Sequence, residues 1–148
     1  MSFLPMKKKQ FINKQIKLIE KKIKILKGEL EKLESAKALE EQKLDALRTE
    51  LEQEKERVKL NPELGFSFSA YYEANQGKQT ELKNIITQVN IQINELKDIL
   101  LKQNIELKKY EKLDEIELER EKEREEALTT KELDEFALRN SLNNVDTA

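Results

Sequence analysis

From Ile12 to Val58 the chain places a hydrophobic residue at alternating steps of four and three. Ile12, Ile16, Ile19, Ile23, Leu26, Leu30 and Leu33 open the series, and Leu44, Leu47, Leu51 and Val58 continue it. Of the fourteen positions in frame, eleven are Ile, Leu or Val; the exceptions are Lys37, Glu40 and Glu54. A helix with 3.6 residues per turn keeps such a stripe on one side, and only another helix can cover it. Seven heptads are well beyond what a coiled-coil assignment requires. The chain must therefore pair helix against helix.

A second stripe follows after an interruption. Pro62 removes a backbone donor and disfavours helical geometry at Asn61, so it ends the first helix. Gly65 and Phe66-Ser67-Phe68-Ser69 come next, with Ser67 or Ser69 as the expected N-cap. Leu82, Ile86, Val89, Ile93, Leu96, Leu100, Gln103, Leu107 and Tyr110 then resume the four-three steps. Leu113 and Ile116 carry the stripe onward one place early, which implies a local change of supercoil. Residues 119–126 are all charged, and Thr129 with Glu132 fits a capping box that would start a short new helix.

These signals predict an all-α fold: a long antiparallel two-helix coiled-coil hairpin with a C-terminal helical overhang. The expected elements are a helix over 6–60, a turn over 61–68, a helix over 69–128 and an extension over 129–143, all in one domain spanning 1–148. A connection of about eight residues makes antiparallel neighbours the default. Folding about position 64 sets residue i against roughly 127 − i. Charge supports that pairing. Residues 1–27 hold nine lysines against Glu20 alone, whereas residues 106–135 hold thirteen acids against seven bases.

Composition removes most other classes. Charged residues make up 39% of the chain and aromatics 5%, too few large side chains for a globular core. The sequence has no His and no Cys, and it lacks a glycine-rich phosphate loop and any metal-ligand spacing. A non-enzyme with no cofactor is expected. No stretch is long and apolar enough to span a bilayer, and the first residues lack a signal-peptide pattern, so a cytoplasmic protein with no direct membrane insertion is expected.

Four features carry two readings each. The nine early lysines either bind nucleic acid or anionic lipid or are neutralised by the acidic partner strand; the second is preferred, with no nucleic-acid role. Lys37, Glu40 and Glu54 either occupy the seam and set register, or the seam rotates onto Ala36 and Leu39; rotation is preferred for Lys37 and Glu40. Phe66, Phe68, Tyr71 and Tyr72 either cap the bend or form a contact site. Leu133 and Phe136, beyond the reach of the first helix, either fray or meet an external partner.

The last third resembles a known family. Lys112-Leu113-Asp114-Glu115, the Glu/Arg run and Lys131-Glu132-Leu133-Asp134-Glu135-Phe136-Ala137-Leu138-Arg139 look like the closing segment of the FliJ family and its YscO-type relatives. Length, two heptad helices and an aromatic-bearing turn agree with that layout. The resemblance implies a stalk and coupling component of a type III protein export apparatus of the flagellar kind, cytoplasmic and peripheral to the inner-membrane export apparatus, and a monomer when free is expected. Its implied partners are the hexameric export ATPase, the membrane export-gate protein and export chaperones. By position, Leu133, Asp134, Glu135, Phe136 and Arg139 would face the ATPase, and Tyr71, Tyr72 and Leu82 the gate. The alternatives are a prefoldin-like protein or a generic coiled-coil scaffold.

Overall fold

Residues 3–146 are described by a computed structural model, in which two helices account for almost all of the chain. Helix α1 runs Phe3–Leu60 and helix α2 runs Gly65–Asp146, packed against each other as an all-α hairpin. Long uninterrupted helices follow from a chain rich in Leu, Lys, Glu and Gln, whose unbranched side chains lose little freedom in a helix. Arg57 and Lys59 in the last turn of α1 complement the negative end of its dipole.

The bend is shorter than the expected turn over 61–68. Asn61 takes an extended conformation before Pro62, with φ −133° and ψ 86°, and its N–H still donates to the Arg57 carbonyl at 2.9 Å. A single 3-10 turn, Pro62–Leu64, follows, and α2 begins at once with Gly65 in right-handed helical geometry. Neither serine is the N-cap: Ser67 lies inside α2, and its hydroxyl donates to the Leu64 carbonyl at 3.1 Å. Nor does α2 break at Thr129, whose hydroxyl donates to the Glu125 carbonyl instead of capping a new helix. Both hydroxyls are satisfied by the preceding turn, so local capping chemistry is overridden by helix continuity.

The molecule falls into two compact units, one of Met1–Lys21 with Asn104–Ala148 and the other of Lys22–Gln103. In the first, Ile12 and Ile19 are buried, and Ile16, Leu107 and Tyr110 are half-buried. The one-place shift to Leu113 and Ile116 does not occur; both are exposed. The original frame continues through Asp114, Glu117 and Glu121, of which Glu117 is buried. Lys8 reaches Glu117 at 3.1 Å and Lys9 reaches Glu121 at 3.4 Å, so carboxylates hold these seam positions because lysines stand across from them. These pairs fall within three residues of the expected antiparallel register.

In the second unit Ile23, Leu44, Leu51, Ile93, Leu96 and Leu100 are buried. Lys37, Glu40 and Glu54 stay in the seam frame, half-buried, while Leu39 remains 54% exposed. The preferred rotation onto Ala36 and Leu39 is therefore absent. Each polar residue turns its charge sideways along its own helix: Lys37 to Glu41 at 3.8 Å, Glu40 to Lys43 at 3.1 Å, Glu54 to Arg57 at 3.0 Å. The stems cover the seam and the charged ends stay in water, which removes the need to rotate.

Candidate functional site

Three surfaces carry residues singled out by the sequence. The first is the bend. Phe68 lies half-buried against Tyr71 and Tyr72, with ring centroids 6.4 and 6.1 Å away and tilted planes. Phe66 stands apart, 99% exposed. A shallow groove between Glu54, Arg57, Val58, Leu64, Phe68 and Tyr71 lies beside this cluster. Of the four rings, three thus pack together at the bend and one is presented to solvent. Tyr71 and Tyr72 sit in this cluster, but Leu82 does not join them. It is half-buried, at a seam position about three helical turns further along α2.

Between the rings and Leu82 lies a polar element that periodicity missed. The seam of α2 steps Phe68, Tyr71, Asn75, Gln79, Leu82, so two steps of four occur in succession. Such a stutter locally unwinds a coiled coil. Asn75 and Gln79 are both buried there. The Asn75 amide donates to the Leu47 carbonyl of α1 at 3.0 Å, and the Gln79 amide donates to Asn75 Oδ1 at 2.6 Å. The only sequence signal was the presence of two amides, four residues apart, where the apolar count had lapsed.

The second surface is the far part of α2. Every residue from 122 to 144 is exposed, so the described residues of α1 leave this stretch uncovered. Leu133 and Phe136 are 62% and 63% exposed and lie i, i+3 on one side of the helix. Asp134, Glu135 and Arg139 are exposed around them, so the five predicted residues share one helical segment without forming a single face. Leu128, Leu138 and Leu142, also exposed, continue the seam frame past Glu121 on another side. The segment thus offers apolar side chains on two sides, and Leu138 and Leu142 join Leu133 and Phe136 as candidate contacts.

Comparison with known protein families, with curated proteins and with solved structures returns no match. What this chain can do is therefore argued from its surfaces.

The third surface is the lysine-rich start of α1. Neutralisation by the acidic strand is limited: in this segment Lys8 and Lys9 make the cross-helix ion pairs, while Lys7, Lys14, Lys17 and Lys21 have no carboxylate within ion-pair distance among the described residues. The Lys8 pair matters electrostatically. The hydrogen bond from Lys8 holds Glu117 below the ordinary glutamate value, with Arg120 and Arg124 adding to the effect and desolvation opposing it. No described helix is long and apolar enough to cross a membrane.

Proposed function

We propose that this chain is a non-catalytic coiled-coil stalk component of a type III protein export apparatus of the flagellar kind. It would bind the hexameric export ATPase and favour ring assembly, engage the membrane export-gate protein and escort export chaperones. ATP hydrolysis would belong to the partner. The observation that carries this reading is the exposure of Leu133 and Phe136 within Lys131–Arg139, the stretch that resembles the closing segment of the FliJ family. Burying such a pair in a partner's pocket contributes roughly 1.5–3 kcal/mol per side chain, the scale of an interface hot spot. Charged Asp134, Glu135 and Arg139 would form the polar rim around those anchors. At the other surface, Phe66 and the Phe68–Tyr71–Tyr72 cluster support a gate-side contact, with Tyr71 and Tyr72 as its core. Leu82 would act there through the seam.

The prefoldin-like alternative needs a β-hairpin between its helices, and only Asn61–Leu64 separates α1 from α2. That leaves the export reading ahead of it. The test is Leu133→Ala with Phe136→Ala, assayed against a cognate export ATPase. Helicity by circular dichroism stays at the wild-type level, because both side chains are exposed, while stimulation of ATP hydrolysis and ring assembly is lost. Wild-type stimulation by the doubly substituted protein would defeat the proposal.

A further inference from the structure

Turned away from the seam, α1 carries a second ridge. Lys7, Phe11, Lys14, Leu18 and Lys21 also follow steps of four and three, so they share one side of the helix. That side is about 150° around the axis from Ile12, Ile16 and Ile19, taking 100° per residue. All five are exposed, Phe11 by 55% and Leu18 by 45%. Lys17 flanks the ridge, and a shallow groove runs between Gln10, Asn13, Lys14, Lys17, Leu18 and Lys21. Glu20, the one acid among residues 1–27, lies towards the seam side.

The chemistry of this ridge selects its occupant. Ammonium groups alternate with apolar side chains along a convex helical surface. A partner helix would favour a stripe that is apolar at most positions, as in the seam of α1, but every other ridge position here is lysine. Nucleic acid would use the lysines and gain nothing from an exposed Leu18. A bilayer surface uses both: apolar residues dip below the headgroups while lysine stems reach back to anionic phosphates. The carboxylates of α2 in this unit stand behind α1, about one helix diameter or ~10 Å further off. At ordinary ionic strength that is roughly one Debye length, so they do not cancel the attraction.

We propose that the outward ridge Lys7–Phe11–Lys14–Leu18–Lys21 docks α1 reversibly on the surface of a bilayer rich in anionic phospholipid, without crossing it. The site does not depend on the export role, and the two stand or fall by separate experiments.

The test is co-sedimentation of the full chain with vesicles of phosphatidylglycerol and phosphatidylcholine, against vesicles of phosphatidylcholine alone. Binding is expected to the anionic vesicles only and to weaken as salt is raised. Lys14→Gln with Lys21→Gln should lower the partition coefficient about 25-fold, and Phe11→Ser with Leu18→Ser should also weaken it. The control Lys83→Gln with Lys97→Gln, two exposed lysines of α2, should leave binding close to wild type. Circular dichroism checks that each variant remains helical. Equal binding to both vesicle types, binding to neither, or equal losses in the ridge and control variants would overturn the assignment. So would binding of a labelled single-stranded RNA in the absence of vesicle binding.

Discussion

At the scale of single residues, the polar members of the seam are explained by where their charges go. Lys37, Glu40 and Glu54 hand theirs to neighbours three or four residues away on the same helix. Glu117 has such a neighbour in Arg120, but it also pairs with Lys8 from the other helix. That makes it a pH-dependent link between α1 and α2. The Lys8 hydrogen bond depresses the folded-state value of Glu117 below the ordinary 4.5. A depressed carboxylate contributes stability that is fully present above the ordinary value and is lost as pH falls through the folded one. Glu117→Gln should therefore melt at a lower temperature than wild type near neutral pH. The two proteins should converge well below the ordinary value. A deficit that persists in acid would mean that shape, not charge, holds this position. Asp114, one layer away in the same frame, has a buried Oδ1 without a hydrogen-bond partner, and the structure offers no physical account of it.

At the scale of elements, the decisive feature is the stutter in α2. Asn75 and Gln79 replace apolar seam residues where two four-residue steps meet, and the Leu47 carbonyl of α1 receives the Asn75 amide. A buried polar link of this kind fixes register at a cost in stability. Asn75→Ala strands the Gln79 amide and should destabilise the protein by about 1–3 kcal/mol in urea denaturation. The double substitution Asn75→Leu with Gln79→Leu removes both polar groups and should restore or exceed wild-type stability while loosening register. If the single and double variants lose equal stability, the amide pair is not the cause. This element was only half legible in the sequence. The count of apolar residues stops before Leu82, and nothing in a one-helix pattern says that Asn75 faces a backbone carbonyl of the other helix. Helix continuity through Thr129 was misread for a related reason: the capping box is a local signal, and a hydroxyl already bonded to the preceding turn makes no cap.

For the whole molecule, the pairing of α1 with α2 within one chain leaves Phe66 at the bend and residues 122–144 of α2 exposed. Spin labels at Lys17 and Lys108, both exposed and in the same unit, test that pairing directly. With helix axes about 10 Å apart, they should report one distance on the order of 20 Å. The distance should survive dilution with unlabelled protein. A parallel dimer would lose it on dilution. The candidate contacts divide in the same way as the fold. Leu133 and Phe136 stood out in the sequence because an apolar pair follows a run of charge with no stripe left to join. Leu138 and Leu142 did not, because their significance lies in a frame inherited from Glu121. Leu82 read in the sequence both as the first member of the second stripe and, by the resemblance, as a gate contact, and the packed helices half-bury it in the seam.

Taken alone, the sequence determined the break before Pro62, the seam of α1 and the antiparallel sense of the pair. Each follows from a property of one chain segment: a period, a missing donor, a charge excess. Tertiary structure decided which polar residues remain in the seam, where α2 stutters, that carboxylates replace Leu113 and Ile116 in frame, and which lysines go unmatched. Those outcomes depend on what lies across the interface at each level. A rigid helix cannot shift its face for one residue without rotating every layer that follows.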